Sequence, residues 1–181
     1  MRLWLRDDIF MRKINITLLL AMASAAAFAQ TPNPVAGSQG VFNNVKNNVL
    51  RSADKVSDEL WDFKPTPQIR SFGELFAHIA DGQYEFCGPV KEGKRVDTDI
   101  EKTAKTKAAV VTKLKEAFAY CDAAWAMLTP ANAMELPAGA RMSRIGAMDF
   151  NTAHTFEHYG NLVTYMRLKN IVPPSSEPAK K

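Results

Sequence analysis

Three histidines have the clearest capacity for chemistry in this 181-residue chain, and two of them stand four positions apart. On a helix, His154 and His158 leave one face about 5–6 Å apart, a spacing suited to gripping one metal ion. At about 100° per residue, Ala147, Phe150, Asn161, Tyr165 and Leu168 fall within roughly 40° of His154. That places the pair in an apolar, inward stripe, where an unsatisfied imidazole costs about 1–3 kcal/mol. Such a pair arises by chance about once in twenty-five sequences of this composition. Two readings therefore stand at this point: metal ligands, or buried histidines satisfied by their neighbours.

His78 belongs to a different segment. Phe72, Leu75, Ile79 and Phe86 centre an apolar stripe about 100° away, so His78 lies on its edge. Glu74, Asp81 and Glu85 fall within about 60° on its other side. That acidic strip is either a solvated face or, if it borders the mouth of a bundle, a source of carboxylates. One of them would then orient an imidazole or act as a general base. Three neutral nitrogens from two helices suit Zn, Ni or Fe and leave a coordination position open. Other chemistries lack their motifs: G-x-G-x-x-G, a P-loop, H-E-x-x-H and C-x-x-C-H are all missing from the sequence.

The elements that position these residues read as four helices. Val41, Val45, Val49, Val56 and Leu60 hold helical spacing over about Gly40–Asp62, and Pro65 and Pro67 end the segment. Ser71 with Glu74 forms a capping-box pattern that starts a second helix, which Gly88-Pro89 is expected to stop. Residues 90–103 form a polar link. In the third segment, about Ala104–Leu128, Val111, Leu114, Phe118, Cys121, Trp125 and Leu128 step 3-4-3-4-3, the seam of a bundle helix. The fourth runs from about Ser143 to Ile171 and stops at Pro173-Pro174. No stretch alternates with a period of two, so the class is all-α, a four-helix bundle.

Composition narrows the function classes. A chain with 46% hydrophobic and 23% charged residues builds one core rather than remaining disordered. The N-terminus changes the charge. Arg12 and Lys13 precede a short apolar run that ends Ala27-Phe28-Ala29-Gln30, the pattern of a secretory signal peptide cleaved after Ala29. The apolar run is shorter than the about 20 residues of a membrane span, so no stable anchor is expected after cleavage. Residues 1–10 are either an extended leader or lie upstream of a working start at Met11. Removing residues 1–29 takes away Arg2, Arg6, Arg12, Lys13, Asp7 and Asp8, leaving 19 basic and 17 acidic residues, a net of +2. Nothing in that chain resembles a basic, aromatic-interleaved nucleic-acid surface. The organisation read from sequence is a signal peptide at 1–29, a mobile Pro/Gly/Ser leader at 30–38, a bundle at 39–174 and a tail at 175–181. The expected location is the periplasm or the outside of the cell.

Two segments, FKPTPQIRSFGELFAHIADGQYEFCG (63–88) and HTFEHYGNLVTYMRLKNIVPPSS (154–176), together resemble the DinB-like family of metal-binding four-helix bundles. The resemblance implies an up-down-down-up topology and a divalent metal on His78, His154 and His158. Many relatives carry Arg-Gly-Gln after the last histidine; here the chain reads Tyr159-Gly160-Asn161. Asn161 is then expected to replace the Gln as a hydrogen-bonding group near the metal or substrate. With the second and third helices parallel, as in relatives, Cys87 and Cys121 sit at one level. In an oxidising compartment they form a disulfide or remain as two buried thiols.

Characterised members of the family that the chain resembles include transferases and isomerases that use low-molecular-weight thiols, and many members have no established activity; an exported protein is remote from the cytoplasmic thiol pool. The function expected is a metal-dependent enzyme, hydrolase or thiol-dependent transferase in kind, acting on an unidentified small molecule. The alternative is a non-catalytic metal-binding bundle or a dimeric helical protein, and a homodimer is compatible with either.

Overall fold

A computed structural model of the chain describes residues 33–178. The expected signal peptide and the first residues of the leader lie outside them. The described residues are helical without strands: α1 (Pro34–Lys55), α2 (Phe72–Lys91), a short α3 (Ile100–Thr103), α4 (Lys107–Ala126) and α5 (Arg144–Leu168). Two 3-10 turns, Asp58–Leu60 and Pro174–Ser176, complete the set. Among the described residues, no helix is long and apolar enough to cross a membrane.

Local chemistry sets the ends of these helices. At the start of α2 the Ser71 hydroxyl accepts the Glu74 N–H, and the Glu74 carboxylate accepts the Ser71 N–H, the reciprocal pairing that the sequence pattern implies. Thr106 and Ser143 cap α4 and α5 singly, their hydroxyls accepting from the Ala109 and Gly146 N–H groups. α5 ends with Asn170 in the left-handed region (φ 58°), where the Ile171 N–H reaches the Met166 carbonyl at 2.8 Å. Asn there takes the place that glycine usually fills.

The structure corrects several boundaries. α1 starts at Pro34, so residues 34–38 of the expected leader are helical. It ends at Lys55 rather than Asp62. Phe42, not Val41, faces the core: Phe42 is fully buried against Phe118 and Trp125, while Val41 is 51% exposed. The larger ring removes more apolar surface from water, and this sets the rotation of α1. α2 runs through Pro89 to Lys91. Pro89 removes only the bond the Glu85 carbonyl would accept, which a last turn tolerates. At the C-terminus, Ser175 meets the Tyr159 hydroxyl and Glu177 pairs with Arg51 and Lys55, so the packed region reaches beyond residue 174.

Side-chain pairs give the topology. Phe72 meets Tyr165 and Phe86 meets Phe150, so α2 and α5 run antiparallel. Lys46 pairs with Asp122 and the Lys107 ammonium reaches the Val56 carbonyl, so α1 opposes α4. Tyr84 lies on Tyr120, and Cys87 is bonded to Cys121 with Cα atoms 5.4 Å apart, so α2 and α4 are parallel. The order is up-down-down-up, and residues 92–106, carrying α3, form the long crossover. α2 has both α4 and α5 as neighbours and holds the largest share of the core. The disulfide closes a separation of 34 residues and is fully buried. A loop of that size contributes about 3–4 kcal/mol. Replacing Cys87 and Cys121 together by Ala is expected to lower unfolding stability in urea by about that amount. An unchanged denaturation midpoint would show that the cross-link adds nothing.

Candidate metal centre

Two helices bring the three histidines together. α2 carries His78 and α5 carries His154 and His158, and the antiparallel register puts their rings in one layer. Ring centroids lie 4.4–5.2 Å apart. The His154 Nε2 is 3.3 Å from the His78 Nε2 and 3.0 Å from the His158 Nε2. All three ligand atoms fall within 4.8 Å of one another. Two nitrogens at 2.0–2.1 Å from one tetrahedral ion would be about 3.3 Å apart, so the spacing fits a metal.

Close helix packing makes this convergence possible. A Cβ at Gly82 would sit 2.7 Å from His154 Cε1, so the absence of a side chain there makes room for the ring. The layer beneath is polar and fully buried. The Asn151 Nδ2 donates to the Gln83 side-chain carbonyl at 2.8 Å, and the Gln83 Nε2 donates to the Thr155 hydroxyl at 3.0 Å. The Asn151 Nδ2 also lies 3.3 Å from the Cys121 sulfur, so this layer joins the histidines to the disulfide.

The electrostatics favour neutral rings with free lone pairs. Burial, reinforced by the neighbouring histidines, lowers the pKa of His154 to about 4; burial and His78 do the same for His158. Their Nδ1 atoms are buried with no hydrogen-bond partner among the described residues. His78 differs: its Nδ1 is 3.1 Å from the Glu101 carboxylate. An ionised carboxylate only accepts, so Nδ1 donates and the ring presents its Nε2 side to the other two histidines. Burial raises the pKa of Glu101, but the Arg70 hydrogen bond and charge, with His78, hold it below the usual carboxylate range.

The other candidates have different partners. Glu74 caps α2 and pairs with Lys64, Glu85 pairs with Arg95, and Asp81 accepts from Thr98, Ile100 and Glu101. Among the described residues, none of these three is hydrogen-bonded or ion-paired to a histidine. The carboxylate that does, Glu101, sits in the expected polar link. Asn161 is exposed and lines an open cleft of about 430 Å³ with Arg70, Glu157, His158, Thr164 and Tyr165. Phe150 and Leu168 are also exposed, so the histidine pair lies where α5 meets α2 rather than at the centre of the buried stripe, which Asn151, Thr155 and Leu162 occupy.

The family model of the DinB superfamily matches residues 42–162, which take in all four bundle helices in part or whole and all three histidines. The chain belongs to the DinB superfamily. Its fold is similar to that of a DinB-like protein from Bacillus cereus ATCC 10987, at 14% identity, with 77% of this chain and 95% of that one covered and a TM-score of 0.62. A DinB-like protein from Bacillus subtilis is 22% identical, with 80% and 99% covered and a TM-score of 0.59. At these identities the likeness speaks to the DinB fold alone. No curated protein matches the chain.

Two outcomes follow from this geometry. The unfolded chain binds protons on these histidines near pH 6.5, whereas in the folded, metal-free protein His154 and His158 resist to about 4. Stability is therefore expected to fall as pH drops through that window. Urea midpoints at pH 7 and pH 5 would show it, and replacing both histidines by Gln would flatten the difference. Gly82→Ala is expected to displace the His154 ring, weakening zinc binding while the thermal midpoint stays within a few degrees. Undiminished zinc affinity in that variant would contradict the role given to Gly82.

Proposed function

We propose that this protein is an exported, metal-dependent enzyme, hydrolase or thiol-dependent transferase in kind, that holds a divalent ion on His78, His154 and His158. The observation that carries the reading is the convergence of three Nε2 atoms on one buried and two half-buried rings. Without a cation, lone pairs would face one another at about hydrogen-bond distance with too few protons between them. Zn, Ni or Fe fits an all-nitrogen donor set. Such an ion supplies Lewis acidity and lowers the pKa of a bound water or thiol.

The chain's own residues supply the rest. His158 borders the cleft, so a small molecule there lies beside the histidines. Arg70 offers fixed positive charge and several N–H donors at that edge, and Asn161 offers both a donor and an acceptor. Glu157 brings a carboxylate able to accept a proton. Ile69, Leu75 and Pro65 form the apolar part of the wall, which suits a substrate with both polar and apolar groups. Export is supported by the pattern of residues 12–29 and by a disulfide of the kind that persists in oxidising compartments.

Metal analysis of protein purified without a His-tag is expected to give close to one ion per chain after reconstitution. His154→Ala should weaken binding on the order of 100-fold or more, beyond the loss typical of residues that only orient a ligand. The loaded protein should then turn over at least one ester, amide or thiol conjugate in a broad screen, and His154→Ala should not. A ratio that stays near zero on reconstitution would end the metal reading. Full loading with no turnover, and a large stability loss in His154→Ala, would favour a metal-binding bundle without catalysis.

A further inference from the structure

The crossover between α2 and α4 is held by α2 in an unusual manner. α3 has four residues, too few to be stable alone. Its own N-cap residue, Asp99, makes no capping bond and pairs with Lys102 instead. The first N–H groups of α3 are accepted by Asp81, on a different helix: Ile100 N–H reaches Oδ1 and Glu101 N–H reaches Oδ2, each at 2.9 Å. The Thr98 hydroxyl donates to the same carboxylate. Gly88 lets the start of the crossover lie against α2, since a Cβ there would be 2.7 Å from the Lys94 carbonyl oxygen.

The residue that Asp81 fixes by its backbone is Glu101, whose side chain meets His78 Nδ1 at 3.1 Å and Arg70 Nε at 2.8 Å. Asp81 follows His78 by three positions, so both project from neighbouring points on one helix face. A closed loop results: α2 presents His78, Asp81 anchors α3, and α3 returns a carboxylate to His78. We propose that Asp81 and Glu101 are positioning residues that couple the docking of residues 95–104 to occupancy of the three-histidine site.

The inference rests on the metal reading above. Glu101 holds the Nδ1–H form of His78, leaving Nε2 free as a ligand, and Asp81 acts only through Glu101. Linkage is reciprocal: if docking of the crossover strengthens metal binding by some factor, metal strengthens docking by the same factor. Zinc should therefore protect the Ile100 and Glu101 amides from hydrogen exchange.

Zinc affinity by chelator competition and amide exchange on the full chain test the coupling. Asp81→Asn, which sets an amide NH2 against one of the two backbone donors in place of a carboxylate oxygen, and Glu101→Gln are each expected to weaken zinc binding about 10–100-fold. The double variant should lose little more than the worse single, since both act on one path. Lys113→Ala removes the contact of Lys113 with Glu116 on the exposed side of α4, outside the crossover, and should leave zinc affinity unchanged. The coupling is overturned if Asp81→Asn frees the 100–101 amides yet binds zinc like the parent, or if the two losses multiply. Should Asp81→Asn fail to fold, Glu101→Gln carries the test alone, because it leaves every Asp81 contact in place. If the parent binds no zinc, the metal reading fails separately. Nitrogen-15 shifts of His78 then decide the relay: one Nδ1–H tautomer in the parent and a mixture in Glu101→Gln support it, and identical mixtures overturn it.

Discussion

Three imidazoles on two helices can converge only if those helices hold their register to within a fraction of a turn. A slide of one residue along α5 would move His154 by 1.5 Å and turn it by about 100°. The register between α2 and α5 is held by polar groups as well as by apolar packing. Gln83, Asn151 and Thr155 are fully buried and hydrogen-bonded to one another, and a slipped arrangement would strand them. Apolar side chains at those positions would pack in several registers at little cost. The buried amides accept only a few, and the histidines one turn away inherit that choice.

The disulfide extends this constraint to α4. It joins α2 to its parallel neighbour at the level of Asn151, whose amide nitrogen lies near both sulfurs. One layer of the bundle therefore contains the cross-link, the amide network and the base of the histidine cluster. On the other side the site opens to solvent through the cleft. Rigid below and accessible above is the arrangement that binding a small molecule beside fixed ligands requires.

Much of this was legible in the chain because it depends on local spacing. The capping box at Ser71 and Glu74, the start of the fourth helix near Ser143 and the i,i+4 histidines are local patterns, and each stands in the structure where local geometry puts it. The rotation of each stripe was less legible. Valine spacing placed Val41 inside and helical phase placed Phe150 and Leu168 there, yet tertiary packing turned all three outward. Which carboxylate meets His78 could not be read at all. Glu74, Asp81 and Glu85 were neighbours along the helix, whereas Glu101 arrives from 23 residues away on a crossover whose path depends on Asp81. Helical phase describes a face and carries no information about what folds onto it.

The charges around the cluster bear on what it can hold. Arg70 and Glu101 form an ion pair at its edge, and the Glu157 carboxylate lies close enough to favour a positive charge on His158. The Arg70 charge disfavours protonation of His154 and His158, and would disfavour any cation in the same way. Glu101 offsets that repulsion. An ion held there would draw its affinity chiefly from the three nitrogens. Hard cations such as Mg²⁺ and Ca²⁺ draw their binding energy from carboxylates and water, and three imidazoles offer them little. Borderline ions gain more from imidazole donors, with affinity rising toward the later first-row metals.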